Sequence, residues 1–287
     1  MKKILFCFLL IFTKAIAQLP NTDIWLVDIT SFEDGNILFS NPVNITNQIG
    51  YDNQPSFSPD GSSIFYTSMR DGKQTDICKY ELKTKSTSQF TKTATSEYSP
   101  NVTPDGKNVS VVMVEPDSTQ RLWKFSMNGG KPSVFVKEVD SIGYYCWFYG
   151  KRAAVYLLTE PASLQLISKD APKPKHVDNN VGRCLSYYNG MLYYTVKTRE
   201  GLNQFCFFNL PGWYIKKTNV AIESEDYAFR GERVIYGIDN KLYSTVLLDG
   251  NDEKKLIKDF SELGIKNITR IAISPDGTKM AFVTESK

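Results

Sequence analysis

The stretch that decides the fold is QPSFSPDGSSIFYTSM, residues 54–69. Its Ser58-Pro59-Asp60-Gly61 segment predicts a tight turn, because proline fixes φ, aspartate bonds its own backbone and glycine accepts positive φ. Apolar residues on both sides of the turn indicate two antiparallel strands. The pattern returns as PNVTPDGKNVSVVMV at 100–114 and as IAISPDGTKMAFVT at 271–284. The chain is therefore built from repeats.

Turn glycines mark six such units along the chain. Successive glycines are 45, 44, 40, 41 and 46 residues apart, a period that is typical of a four-stranded propeller blade. In the first complete unit, Asp76–Leu82 alternates polar and apolar residues as a strand does. The middle units keep the glycine and lose the Pro-Asp pair. The six turn positions are Gly61, Gly106, Gly150, Gly190, Gly231 and Gly277.

The last unit contains only its first two strands, and the beginning of the chain supplies a matching remainder. DIWLVDI at 23–29 resembles DICKYEL at 76–82, the third strand of the first complete unit. We therefore expect an all-β, six-bladed β-propeller closed by a composite blade of N- and C-terminal strands, with residues 18–287 forming one domain. An open β-sandwich or two β domains would not explain the regular spacing. Residues 261–265 are the one short helical candidate. In the third unit, a proline-rich loop is expected over residues 170–174, before the fourth strand.

Residues 1–17 have the pattern of a secretory signal. Lys2 and Lys3 precede an apolar run, and Ala15-Ile16-Ala17 predicts cleavage before Gln18. The alternative is an uncleaved anchor, although the run is short for a permanent span. Cleavage would remove three lysines and reduce 34 basic and 31 acidic residues to 31 of each. A neutral mature chain argues against a nucleic-acid partner. We expect a periplasmic or secreted protein that is a monomer.

Four cysteines remain after cleavage: Cys78, Cys146, Cys184 and Cys206. The expected compartment permits disulfides. The four residues are scattered through strand-like segments, which favours buried thiols over a disulfide framework. Cys146 and Cys184 lie at similar points of adjacent units, so they are the pair to check for a disulfide.

The units NQPSFSPDGSSIFYTS, SPNVTPDGKNVSVVM and ITRIAISPDGTKMAFVT resemble the Pro-Asp, WD40-like repeats of the TolB family of bacterial periplasmic proteins. The resemblance is strong in three of the six units. It implies a propeller that binds other molecules of the cell envelope. The repeats are also similar to the propeller of the prolyl-oligopeptidase group. Neither the hydrolase domain of that group nor the small N-terminal domain of TolB has a counterpart in this sequence.

Candidate catalytic residues are few. His176 is the only histidine and lies in a PKPKHVD segment that reads as an exposed connector, which argues against a Ser-His-Asp triad or a histidine zinc site. No G-x-S-x-G motif occurs. Asp60, Asp105 and Asp276 recur with the turns and are interpreted as turn residues. We therefore expect a non-enzymatic scaffold without a cofactor.

A binding site is expected where the chain enters the innermost strand of each blade, at the mouth of the central channel. Seven residues before each turn glycine lies a comparable position, and its neighbours are rich in arginine, tyrosine and carboxylates. We expect a protein, a peptide or a glycan to bind there. The predicted rim residues are Asp52, Asn53, Gln54, Glu97, Tyr98, Tyr144, Arg183, Glu223, Asp226 and Arg270.

The alternative is a calcium-dependent hydrolase or lactonase of the propeller type. Calcium takes oxygen ligands, so the scarcity of histidine does not exclude it. The residues that could converge on such an ion are Asn53, Glu97, Glu223 and Asp226.

Overall fold

A computed structural model describes residues 19–31, 36–70, 72–148, 151–209, 212–247 and 253–286. In these ranges the chain forms strands β1 to β24 and one short 3-10 helix, η1, at Ser261–Leu263. No helix within them is long and apolar enough to cross a membrane. The expected signal segment 1–17 and the turn glycine at position 150 lie outside the described residues.

The Pro-Asp turn joins β3 (Tyr51–Phe57) to β4 (Ser63–Met69) as an antiparallel pair. The Ser58 hydroxyl donates to the Asp60 carboxylate at 2.5 Å, and the Gly61 amide donates to the Ser58 carbonyl at 2.9 Å. Gly61 has a φ of 68°, which glycine adopts without strain. The interpretation of these aspartates as turn residues is confirmed. Equivalent side-chain bonds link Thr103 to Asp105 and Ser274 to Asp276.

Four sheets each contain four antiparallel strands that pair in chain order. Their strands are β7 (Ser96–Val102), β8 (Asn108–Val114), β9 (Gln120–Ser126) and β10 (Ser133–Val134); β11 (Ile142–Phe148), β12 (Arg152–Leu157), β13 (Ser163–Ser168) and β14 (Ala171–Asn179); β15 (Ser186–Tyr188), β16 (Met191–Lys197), β17 (Asn203–Asn209) and β18 (Tyr214–Ile222); and β19 (Tyr227–Arg230), β20 (Arg233–Ile238), β21 (Lys241–Val246) and β22 (Lys255–Asp259).

The remaining strands form one eight-stranded sheet. One half contains β3, β4, β5 (Asp76–Glu81) and β6 (Ser86–Gln89); the other contains β23 (Thr269–Ile273), β24 (Lys279–Glu285), β1 (Thr22–Ser31) and β2 (Ile37–Asn44). The two halves meet at a single parallel pair, Thr22 with Tyr51. Strands β1 and β24 are antiparallel over seven pairs, from Thr22 with Glu285 to Asp28 with Lys279. The expected pairing of the first and last strands is thus present.

The third unit differs from the sequence-based expectation. We expected a loop over residues 170–174 and an exposed connector around His176, but β14 begins at Ala171 and contains both. This strand lies at the outer edge of its sheet. Pro174 has no amide hydrogen to donate, and an edge strand tolerates this because one of its sides has no neighbouring strand. His176 is exposed on this strand, and its Nε2 atom lies 3.0 Å from Asn179 Oδ1.

Buried apolar side chains fill the spaces between neighbouring sheets. Ile64 and Tyr66 pack with Ile24 and Val283 between the two halves of the eight-stranded sheet, and comparable clusters join the other sheets. These side chains stabilise the fold mainly by removing apolar surface from water. The core therefore lies between sheets.

The cysteine thiols contribute to this core. All four are free, and Cys78, Cys146 and Cys206 are buried. Burial raises the pKa of Cys206 to about 11 and that of Cys184 to about 12. The interpretation of these residues as thiols is confirmed, and at neutral pH they are protonated and poorly nucleophilic.

Candidate functional site at the channel mouth

A cavity of about 150 Å³ lies where the chain enters the first strand of each repeat unit. A larger cavity of about 750 Å³ shares Pro55, Asn101, Cys184 and Ile271 with it, so the two are parts of one central channel. We call the end at the smaller cavity the channel mouth. Its lining includes Gln54 and Arg270 of the eight-stranded sheet, Ser99 and Tyr144 of two four-stranded sheets, and Arg183 and Asp226, which precede β15 and β19.

The backbone at the channel mouth is unusual at three equivalent positions. Gln54, Ser99 and Arg270 have φ angles of 55°, 53° and 50°. Each lies in a register shift of its strand pair. Non-glycine residues seldom adopt positive φ, and bulges redirect side chains. The same bulge thus recurs in three units and directs their backbone toward the channel mouth.

Asp226 joins two arginines at the centre of the site. Arg183 donates to it from Nη2 at 2.8 Å and from Nε at 3.4 Å, which is a bidentate contact. Arg270 Nη1 lies 3.5 Å from the same carboxylate, and its Nη2 donates to the Tyr144 hydroxyl at 2.9 Å. One buried carboxylate therefore holds two guanidinium groups in fixed positions.

The electrostatics of Asp226 follow from this arrangement. Burial raises the pKa of its carboxyl, but the charges of Arg270 and Arg183 and the hydrogen bonds outweigh burial, so the pKa lies below its ordinary value. The same pair interaction raises the pKa of Arg183 against the opposing effect of its burial. All three groups are charged at neutral pH, and together they carry one net positive charge.

An apolar and aromatic wall lies beside the arginines. The rings of Tyr144 and Tyr156 pack edge to face with centroids 5.7 Å apart. A Cβ atom at Gly143 would lie 3.0 Å from Leu158 and 3.2 Å from Tyr156, so glycine permits both side chains to approach the rim backbone. Leu158 keeps 51% of its surface exposed there. The channel mouth therefore combines fixed positive charge with accessible apolar surface.

A second, more exposed ion pair borders the same cluster. Glu225 contacts Arg183 at 2.9 Å and Lys197 at 2.5 Å. The Lys197 side chain is 48% exposed and the Glu225 side chain 29% exposed. Because exposed ion pairs are weak, a ligand can exchange with this pair at little energetic cost.

The structure brings together only part of the predicted rim. Gln54, Tyr144, Arg183, Asp226 and Arg270 line the channel mouth. The other predicted residues have separate surroundings. Asp52 is buried in an ion pair with Arg70 at 2.8 Å, and the oxygen of buried Asn53 accepts from the Gln54 amide. Tyr98 is half-buried against the core, Glu223 pairs with Lys254 at 2.7 Å, and Glu97 accepts hydrogen bonds from three threonines.

Three residues that border the channel mouth were not predicted from the sequence: Lys197, Tyr156 and Leu158. They lie at or just after the ends of second strands, whereas the prediction considered only entries into first strands. In a four-stranded antiparallel unit the second strand ends at the same side of the sheet where the first begins. A prediction that also considered the ends of second strands would therefore have included these three residues.

Glu97 is a buried acid with an unusual pKa. Burial raises its pKa from 4.5 to about 7, although the hydroxyls of Thr91, Thr93 and Thr95 donate to the carboxylate and oppose the shift. The folded protein therefore binds this proton more tightly than the unfolded chain does. We expect the free energy of unfolding to fall as the pH rises from about 4.5 to about 7, and to level off above that range.

Urea unfolding of the wild type and of Glu97→Gln across this range tests the expectation. The variant should lose most of the decline and gain stability relative to the wild type at about pH 8. Parallel pH profiles for the two proteins would contradict it.

The four ligands suggested for calcium have other partners, and the Asn53 oxygen accepts from the Gln54 amide. Asp226 is held by two arginines, Glu223 by a lysine and Glu97 by threonines. Within the described ranges, no group of three acidic, histidine or cysteine side chains is placed to hold a metal ion. The residues present do not fit the calcium site of the alternative.

The chain is similar to known peptidases in part of its sequence and in its structure. No family model matches the chain. One curated relative, dipeptidyl-peptidase 5 of Porphyromonas gingivalis, is 31% identical over 116 residues, which are 39% of this chain and 16% of the relative. The matched part is thus about a sixth of that protein. A puromycin-hydrolysing peptidase of Mycobacterium tuberculosis has a similar structure, with a TM-score of 0.55, 11% identity and coverage of 82% of this chain and 45% of that chain.

These relatives correct one expectation. We expected a protein without enzymatic function because the sequence lacks a recognisable catalytic constellation. The relative with the similar 116-residue stretch is a peptidase, and peptidases recur among the structural neighbours. The prediction of a non-enzyme is therefore wrong, and hydrolase activity becomes the function to test.

Two solved TolB structures are similar over almost the whole chain. One, assigned to TolB of Agrobacterium tumefaciens, has a TM-score of 0.68 and 14% identity, and the match covers 94% of this chain and 99% of that chain. TolB of Acinetobacter baumannii has a TM-score of 0.57 and 11% identity, with coverage of 93% and 64%. At these identities the likeness concerns the fold alone. The protein has a TolB-like, all-β propeller fold.

Proposed function

We propose that this protein is a peptide-binding propeller that takes part in peptide hydrolysis and binds its substrate at the channel mouth. The observation that carries the proposal is the pair Arg183 and Arg270, held on buried Asp226 at the channel mouth, with exposed Leu158 packed near Gly143 at the adjoining backbone. A peptide offers carboxylates, ammonium groups and apolar side chains, and this surface can contact each of them. The partial identity to a dipeptidyl peptidase supports peptides over glycans.

Each group at the channel mouth has a role in the proposal. Lys197 attracts acidic groups of the peptide, and Glu225 attracts basic ones, because both can leave their exposed ion pair. Leu158 and Tyr156 contact apolar side chains. Asp226 keeps the two arginines in position, so that little side-chain entropy is lost when a ligand binds.

We further propose that the ring contains six blades and that the composite blade closes it. The support is the set of apolar clusters between successive sheets, with the eight-stranded sheet counted as two blades joined at one residue pair. The cluster of Val27 and Phe282 with Ile235 and Leu242 packs the last complete unit against the composite one. This proposal keeps 18–287 as a single domain.

For localisation we propose the periplasm or the exterior of the cell, with a mature chain that starts at Gln18. The support is the charge and apolar pattern of residues 1–17 and the likeness to periplasmic TolB proteins. N-terminal sequencing of the exported protein tests it, and a retained residue 1 would contradict it.

The proposed function is tested with a double variant of exposed residues. In Leu158→Ser/Lys197→Ala, both changes lie at the channel mouth and leave Asp226 and its arginines intact. We expect the affinity for a fluorescent library of unstructured octapeptides to fall about tenfold or more. The matched control is Ile215→Ser/Lys216→Ala on the outer strand β18, where both side chains are also exposed.

Mass spectrometry of the same peptides after incubation measures hydrolysis directly. Cleavage by the wild type that falls in the mouth variant and persists in the control would support the proposal. Equal binding by all three proteins would place the peptide site elsewhere. Binding without cleavage, also in the presence of a cell-envelope extract, would contradict the hydrolytic part.

A further inference from the structure

A separate cavity of about 450 Å³ lies outside the channel, between β1, β2, β24 and η1. Its lining shares no residue with the channel mouth. A volume of this size is typical of sites for small ligands. This cavity is therefore distinct from the proposed peptide site.

The cavity contains polar atoms whose hydrogen-bonding capacity is not used. Asp23 is 8% exposed; its Oδ1 accepts from the Thr46 hydroxyl at 3.2 Å, and no described residue donates to Oδ2. Glu285 Oε1 accepts from Asn267 at 2.6 Å, and Oε2 likewise has no donor among the described residues. The Ser286 hydroxyl is buried and lacks a hydrogen-bond partner in the same part of the chain. Buried polar groups in folded proteins are normally paired.

These groups belong to one edge of the molecule because of the strand register. Asp23 pairs with Thr284 across β1 and β24, so Ser286 is its diagonal neighbour on the same face. Glu285 pairs with Thr22, so it starts on the opposite face of the sheet and lines the cavity as an exposed residue at the end of β24. The pairing of the first and last strands thus creates an acceptor-rich site that neither strand contains alone.

The charge of this site is uncompensated. The cavity lining includes the carboxylates of Asp23 and Glu285 and, in the described ranges, no lysine, arginine or histidine. Neither carboxylate has an ion-pair partner within those ranges. Asp23 is withdrawn from water, whereas Glu285 is exposed, so a cation that donates a hydrogen bond to Asp23 would offset the loss of water around that carboxylate.

An apolar surface adjoins the carboxylates. The half-buried ring of Trp25 lines the cavity together with Leu263 and with Ile49, which is 87% exposed. An indole ring attracts cations through its face and packs against methylene groups. The cavity therefore suits a ligand with a positive head and an alkyl chain.

We propose that this cavity binds a primary ammonium group carried on an alkyl chain, as in a free amine or a lysine side chain. A primary ammonium has three N–H donors and no acceptor. Asp23 Oδ2 and the Ser286 hydroxyl supply acceptors on one face of the sheet, the exposed Glu285 adds negative charge to the cavity lining, and Trp25 contacts the alkyl chain. A neutral sugar would leave both charges without a counter-ion.

Isothermal titration with n-pentylammonium and with Nα-acetyl-lysine amide tests the proposal on the full-length mature protein. Both ligands should bind, and the tighter one identifies the source of the ammonium group. Asp23→Asn should weaken binding about tenfold or more because that carboxylate is buried, and Glu285→Gln should weaken it by less than about fivefold because Glu285 is exposed. The control is Glu262→Gln, an exposed acid of η1 outside the cavity lining. Circular dichroism checks that each variant is folded. If Asp23→Asn does not fold, the amine affinity of Glu285→Gln tests the proposal.

Two neutral or donor-free probes complete the test. Tetramethylammonium, which has no N–H group, and 1-pentanol, which has no charge, should both bind much more weakly than n-pentylammonium. A change in tryptophan fluorescence on amine binding should be lost in Trp25→Phe. Equal binding of pentanol or maltose, or unchanged amine affinity in both carboxylate variants, would overturn the proposal.

Discussion

Replacing Asp226 by asparagine is expected to lower the free energy of unfolding by about 3 kcal/mol. Asparagine keeps the size of the side chain but removes the charge that holds Arg183 and Arg270 at the channel mouth. The two guanidinium groups would then repel each other in a site that is largely shielded from water. Urea unfolding at neutral pH measures the loss.

A matched change in the same cluster separates burial from charge. Glu225→Gln also removes a carboxylate from Arg183, but the Glu225 side chain is 29% exposed against 6% for Asp226. We expect a loss below about 1 kcal/mol for this control. Equal losses in the two variants would contradict the central role of Asp226.

The pH dependence of the Asp226 effect has a defined sign. The pKa of this carboxyl is lower in the folded protein than the ordinary 3.8, so the stabilisation is present above 3.8 and is lost as the pH falls through the folded value. The difference between the wild type and Asp226→Asn should therefore shrink in strong acid. A difference that stays constant there would show that charge is not its cause.

Phe282→Ala is expected to lower the free energy of unfolding by about 4 kcal/mol. Phe282 is fully buried on β24, pairs with Trp25 of β1, and packs against Phe260 with ring centroids 5.3 Å apart. Its loss would leave a cavity where the first and last strands meet the preceding unit. Chemical unfolding followed by circular dichroism measures the effect.

Leu38→Ala is the control for this prediction. Leu38 lies in β2 of the same sheet and is 49% exposed, so its truncation should cost less than about 1 kcal/mol. A small loss for Phe282→Ala as well would mean that the paired ends of the chain contribute little to the core.

The strands and turns were predictable because their causes are local. The bonds of Asp60 to Ser58 and the positive φ of Gly61 need only four consecutive residues, and the alternation of Asp76–Leu82 is a property of one strand. The pairing of β1 with β24 was also predictable, since half a unit stands at each end of the sequence. The loop expected at 170–174 was wrong, because the outer edge of a sheet tolerates prolines that a central strand does not.

The sequence by itself determined the repeat, its turns and the complementarity of the first and last strands, because these depend on residues close in the chain or on a regular period. Only the tertiary structure decided which polar residues meet. Arg183 reaches Asp226 across 43 residues and Arg270 reaches Tyr144 across 126, whereas Glu97 is bonded by threonines within six residues of it. A buried charge takes the partner that best compensates its loss of water, and that partner is defined by the packing of distant units and not by position in the sequence.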